Sequence, residues 1–182
     1  MAEPVTLAET KAHLRLDDSF VDDDTYIINL IVASRQWVEN YIGRSLIVKT
    51  IDYQLTSFPL CSIKLAYGPV TSVTSIKYLD VNGDEQTLAT TEYMLYWHNE
   101  DALISLKYGK IWPLTLPQPN AITIKYVTGY ATPSDIPQAI KQAMFLVITD
   151  IYENRQAQFD VMMYENKAVC SLLSGYNFWG GM

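Results

Sequence analysis

At 182 residues, with 49% hydrophobic and 18% charged residues, the chain has enough apolar material for a core and too little charge for disorder. A formal net charge of −7, with no lysine or arginine stripe, excludes nucleic-acid binding of the phosphate-gripping kind. A surface that lets DNA pass without holding it stays compatible with that charge. No apolar run reaches the length of a bilayer span, the opening residues lack the pattern of a secretory leader, and the distant Cys61 and Cys170 are expected as reduced thiols.

The first element is a short helix over about 6–14, because Thr6 and Glu9 have the spacing of a capping box. Residues 1–24 hold seven acids, Glu3, Glu9, Asp17, Asp18, Asp22, Asp23 and Asp24, against Lys11 and Arg15. The stretch from Asp17 to Asp24 reads as a polar connector, with one aspartate placed to cap the next helix. That helix, over about 24–42, has Ile27, Leu30, Ile31, Ser34, Trp37, Val38 and Tyr41 on one face and Gly43 at its left-handed cap.

From about 46 to 130 the period falls to two, and an antiparallel sheet of five to seven short strands is expected. Asn82-Gly83 predicts a type I′ hairpin, and Asn99-Glu100-Asp101 a second turn. Trp112 to Pro119 is a proline-stiffened loop. Helical period returns over about 137–155, with Ile140, Ala143, Met144, Val147, Ile148, Ile151 and Tyr152 as its apolar face. A weaker helix follows at about 165–174, and then a glycine-rich aromatic tail over 175–182. The fold class is α+β: a small helical bundle with an antiparallel β-sheet insertion between the second and third major helices, read as one domain over 1–182.

Motifs for chemistry are scarce. There is no nucleophile elbow, phosphate loop, dinucleotide fingerprint or paired Cys-x-x-Cys. His13 and His98 read as surface histidines. The aspartates of 17–24 lack the alternation, central glycine and closing glutamate of a calcium loop. No metal, cofactor or catalytic residue is assigned. Glu100 and Asp101 beside His98 would serve a hydrolase only if a pocket formed there. Tyr93, Tyr96, Trp97, Tyr108 and Trp112 would serve a β-rich adhesion or carbohydrate-binding module only if exposed and coplanar. Two destinations are open for Tyr176, Phe178 and Trp179: their own helices, or a neighbouring chain, where such rings serve as anchors.

An ordered series of motifs then carries a resemblance. Thr6-Leu-Ala-Glu-Thr-Lys-Ala-His-Leu-Arg-Leu-Asp17, Tyr41-Ile-Gly-Arg44, Tyr67-Gly-Pro-Val-Thr-Ser-Val73, Trp112-Pro113, Ile136-Pro-Gln-Ala-Ile-Lys141 and Tyr152-Glu-Asn-Arg155 are similar, over about 6–175, to the head–tail connector (adaptor) proteins of long-tailed double-stranded DNA phages. Related proteins occur in prophages and gene transfer agents. The resemblance implies a structural, non-enzymatic ring component of the virion neck, assembled in the host cytoplasm. It implies a homo-oligomer, commonly dodecameric, that joins the portal protein to a stopper or tail-completion protein. Double-stranded DNA would pass through the ring without specific binding, and no membrane is involved. By the same resemblance the C-terminal segment reaches the portal, making Leu172, Leu173, Tyr176, Phe178 and Trp179 docking candidates. Asp17, Asp18, Asp22, Asp23, Asp24 and Glu153 are candidates for an acidic channel wall.

Overall fold

The computed structural model describes residues 2–98, 101–154 and 167–177. Four α-helices and seven strands lie among them: α1 (Leu7–Leu14), α2 (Asp24–Ile42), β1 (Lys49–Leu55), β2 (Ile63–Leu65), β3 (Val70–Leu79), β4 (Glu85–Thr87), β5 (Tyr93–His98), β6 (Asp101–Leu106), β7 (Ile122–Thr128), α3 (Gln138–Glu153) and α4 (Lys167–Leu173). The fold class is α+β. The chain divides into two compact units, one formed by residues up to Ile47 together with those from Tyr130 on, the other by Val48–Gly129.

In the helical unit, α1 begins as its sequence dictates. The Thr6 hydroxyl accepts from the Glu9 amide at 3.2 Å, and Glu9 accepts from the Thr6 amide at 2.7 Å. Both groups would otherwise be unsatisfied helix-end donors. The Thr6 hydroxyl also donates to the Glu9 carboxylate at 2.8 Å, and the two bonds that this carboxylate accepts, from the Thr6 amide first and the Thr6 hydroxyl second, hold it below its ordinary range. A depressed carboxyl stabilises the fold above its ordinary value of 4.5, and that stabilisation is lost as pH falls through the folded value. Thr6→Ala is therefore expected to cost about 1 kcal/mol at pH 7 and visibly less at pH 3, read as the difference between thermal melts of variant and wild type.

The helical core is built by Ile27, Leu30, Ile31, Val38 and Ile42 of α2, Ile140, Ala143, Met144 and Ile148 of α3, and Val169 and Leu173 of α4. Trp37, expected on the inward face of α2, is instead 42% exposed and stacks on Tyr41 at 5.3 Å. Charge lies on the other edge of the inward face. Arg35 and Glu39 are each 8% exposed, on the same row as Ile27 and Ile31. Arg35 Nε donates to Glu3 at 2.7 Å and its Nη1 to Glu39 at 3.0 Å. Glu39 also accepts from the Leu46 amide at 2.6 Å. One guanidinium thus ties the segment before α1 to α2, and Glu39 ties α2 to the backbone beyond Gly43. On α3, Ile151 likewise turns outward, at 39% exposure.

The β unit differs from the expected single sheet. Its strands form two antiparallel sheets, β1-β7-β3-β4 and β2-β6-β5. Both contribute to one core, with Ile76, Ile122, Ile124 and Tyr126 from the first and Leu65, Ala102 and Ile104 from the second. Central β7 turns Ile122, Ile124, Tyr126 and Thr128 inward. Tyr126 donates its hydroxyl to the Ala66 carbonyl at 2.8 Å, and burial raises its pKa. The Thr128 hydroxyl reaches the carbonyls of Tyr67 and Pro69. These bonds pin the Tyr67–Val73 motif to the sheet.

The hairpin predicted at Asn82-Gly83 forms between β3 and β4, but its type I′ turn is a correction. Leu79 pairs with Glu85, leaving a five-residue loop from Asp80 to Asp84. Only Gly83 in it takes positive φ, at 89°. The Asp80 carboxylate accepts from the amides of Asn82 and Asp84, so local side-chain bonding sets a wider turn than the dipeptide alone would. In the second hairpin His98 pairs with Asp101, and positions 99 and 100 between them lie outside the described residues.

Candidate functional site

Lys11 fixes the acidic connector. It lies on the inward row of α1 between Leu7 and Leu14, and is 4% exposed. Its ammonium donates to the Phe20 carbonyl at 2.7 Å and pairs with Asp24 at 2.5 Å. Asp23 occupies the N-cap position of α2 without capping it, and its carboxylate instead accepts from the Tyr152 hydroxyl at 2.6 Å. The acids of 17–24 therefore fall into two groups. Asp23 and Asp24 are engaged within the helical unit, while Asp17, Asp18 and Asp22 face solvent. Glu153, the last residue of α3, is also exposed. The Asp17 carboxyl is lowered by bonds from the Ser19 hydroxyl and amide, so it stays ionised at neutral pH.

The C-terminal candidates separate in the same way. Leu173 is fully buried in the helical core, which removes it from any docking surface, and Leu172 and Tyr176 pack against that core. Arg44 Nε donates to the Tyr176 carbonyl at 2.8 Å. Arg44 is 7% exposed, so this bond is sheltered and ties the end of α4 to the turn after α2. Phe178 and Trp179 lie outside the described residues.

Among the described residues the competing constellations do not assemble. Asp101 pairs with Lys64 at 2.8 Å, and exposed His98 stands opposite it on a hairpin. Glu100 lies outside the described residues. His13 stacks on Phe145 at 4.9 Å. Tyr93 is buried, Tyr96 is bonded to Ser62 at 2.9 Å, and its neighbour Trp97 points to the opposite face of β5. Trp112 stacks on Phe58 at 4.6 Å, with Tyr78 edge-on to Phe58, as part of the β unit's own core. Tyr93, Tyr96, Trp97 and Trp112 therefore share no exposed stacking face.

What the surface does offer is apolar relief. Beyond β6, the turn from Lys107 to Lys110 closes with a bond from the Lys110 amide to the Lys107 carbonyl at 3.1 Å. It carries Tyr108 at 106% exposure, with Ile111 at 84% just after. On the helical unit, a shallow hollow of about 320 Å³ is lined mainly by Val5, Leu7, Ile28, Ile31 and Pro133.

Sequence reasoning passed over Lys11, Arg35, Glu39 and Arg44 as site-forming residues. A signal was present for three of them. Lys11 interrupts the row Leu7-x-x-x-Lys11-x-x-Leu14, and Arg35 and Glu39 continue the row Ile27, Ile31 at steps of four. A charge on the apolar row of a helix must find a partner inside. Nothing in the sequence pointed from Arg44 to a carbonyl so far along the chain.

Comparison with known proteins gives a consistent picture. The model of the family "HCP: Head completion protein" matches residues 4–162. Head completion protein gp6 of Enterobacteria phage HK97 is 42% identical over 48 residues, which are 26% of this chain and 44% of that protein. The matched segment thus spans less than half of that relative. Among solved structures, the fold is shared with a chain from the neck of an empty gene transfer agent (GTA) particle computed with C6 symmetry. The TM-score is 0.77 at 24% identity, over 97% of this chain and 92% of that one. A chain from the neck of a native GTA particle computed with C12 symmetry gives 0.74 at 23% identity, over 97% and 92%.

Proposed function

The chain belongs to the head completion protein family, and from that premise we propose that it is a structural head–tail connector of a virion neck. The observation that carries this reading is a family match running from residue 4 to residue 162, through both compact units. The necks to which similar chains belong support the same place in the particle. In this role the chain extends the DNA channel below the portal and offers a platform to a stopper or tail-completion protein. Its work is assembly, through a homo-oligomeric ring, commonly of twelve copies, and it breaks no bond.

The charge fits such a channel. Each copy carries −7, and repeated copies would surround the DNA with like charge, so that phosphates are repelled and slide. Asp17, Asp18, Asp22 and Glu153 are the side chains free to face it. Asp23 and Asp24 contribute by shaping the connector that displays them. The portal contact is assigned to the segment after Tyr176, with Leu172 and Tyr176 at its base.

A particle producer lacking this chain is expected to yield DNA-filled heads and separate tails, joined again when the chain is supplied from a plasmid. Normally joined particles in its absence, seen by negative-stain imaging, would overturn the reading.

A further inference from the structure

Among the described residues of the helical unit, the large apolar side chains left exposed are Phe20, Val21, Ile28, Trp37 and Ile151. All but one gather toward the N-terminal end of α2. Phe20 and Val21 lead into that end, Ile28 follows soon after it, and Ile151 neighbours Tyr152, which is bonded to Asp23. Trp37 stands apart, toward the C-terminal end, stacked on Tyr41 at 5.3 Å with the rings 13° from parallel. Its neighbours one turn away, Ala33, Ser34, Asn40 and Tyr41, are uncharged, and Arg35 and Glu39 are buried. Further rings could cover this stack without stripping water from a charge of α2.

The chain itself brings two rings to that end. Arg44 follows the cap of α2 and holds the Tyr176 carbonyl at 2.8 Å. Phe178 and Trp179 come two and three residues after Tyr176. Trp37 lies seven residues before Arg44, about 10 Å along the helix axis. The five residues after Asn177 span at most about 17 Å. Ile28 and its hollow are about 24 Å from Arg44 on the same scale, beyond that reach. A tether this short holds the rings near Trp37 at an effective concentration of millimolar order, above what a separate chain in dilute solution supplies. Tyr41 and Tyr176 pack against the same helical core, so the stack and the anchored end share one base.

We propose that, in the free chain, residues 178–182 fold back along the end of α2 and seat Phe178 and Trp179 on the Trp37–Tyr41 stack of the same chain. The fold does not depend on this contact, since Leu173 and the Arg44 bond fasten the chain before it. The contact deepens the neck reading, on which its purpose rests. The rings assigned to the portal are withheld until a portal competes for them, and portal affinity is lowered by the fraction of chains in which they are seated.

Indole N–H resonances of the isotope-labelled, full-length chain read the seat directly, because Trp37, Trp97, Trp112 and Trp179 give one signal each. Deleting residues 178–182 should remove the Trp179 signal and move that of Trp37, leaving those of Trp97 and Trp112 in place. A Trp37 signal that stays put would overturn the proposal. So would one that moves when the full-length chain is diluted, since the end of a second copy would then be the occupant. Proteolysis of an opened segment follows its open population. Chymotrypsin should therefore cut after Phe178 about fivefold faster in Trp37→Ala, the worth of one ring pair. It should cut at the wild-type rate in Tyr108→Ala, which changes an exposed ring of the β unit. Equal rates in wild type and Trp37→Ala would overturn the proposal. Should Trp37→Ala melt below wild type, the deletion decides, because it leaves Trp37 in place. Necks should take up Trp37→Ala at least as well as wild type, and faster cutting with poorer uptake would overturn the withholding. Wild-type chain missing from purified necks would defeat the neck reading alone, with the signals of the free chain unaffected.

Discussion

Arg35→Ala is expected to destabilise the protein by about 3–5 kcal/mol, the range for removing one partner of a buried ion pair. The guanidinium bridges Glu3 and Glu39 at 2.7 and 3.0 Å, and Glu39 is itself 8% exposed. Without Arg35, Glu39 would be a buried carboxylate held only by what remains around it, including the Leu46 amide. A buried carboxylate with no cation beside it carries an uncompensated desolvation cost. The loss should appear as a fall of roughly 10 °C in melting temperature for a chain of this size. A double variant distinguishes charge burial from lost packing. Arg35→Met/Glu39→Gln removes both charges and keeps an acceptor for Leu46, and it should recover most of the loss. If Arg35→Ala melts within two degrees of wild type, the buried network has been assigned too much.

The second large effect is functional. Deleting residues 178–182 is expected to leave the melting temperature unchanged while reducing incorporation into necks at least about a hundredfold, as loss of two aromatic anchors would. The cut is placed after Asn177 because the chain is fastened just before it. Leu173 fills the core, and Arg44 holds the Tyr176 carbonyl at 2.8 Å. A cut before Ser174 would remove that fastening and should lower stability as well. Comparing the two truncations separates the rings of Phe178 and Trp179 from the structural stub that carries them. If the shorter deletion unfolds the protein, the rings belong to its own core and the portal assignment fails. If it folds and is incorporated normally, docking lies elsewhere.

The helices were legible because their signals are local. Thr6 and Glu9 announce α1, and Gly43 closes α2 with its φ of 66°. The sheet unit was legible in period and extent but not in architecture, because the division into two sheets depends on which strands pair. Three-residue β2 is too short to show alternation, and its pairing with β6 rests on contacts distant in sequence. Asn82-Gly83 marked the hairpin correctly but not its turn type, as Asp80 redirected the backbone through two bonds the dipeptide rule ignores. Of the candidate site, the acidic connector and the tail were visible as composition. Which members are free was not, since that is settled by Lys11, Tyr152 and Arg44, each acting across the fold.

One feature of the register reaches past stability. β1 and β7 are the first and last strands of the inserted unit, and Lys49 pairs directly with Thr128. Paired residues on neighbouring strands sit about 5 Å apart, so the peptide leaves the helices and returns to them through almost the same doorway. A cassette with that gap between its ends can be exchanged for another without re-threading the host. Exchange of such a cassette would leave the residues of the helical unit inherited intact.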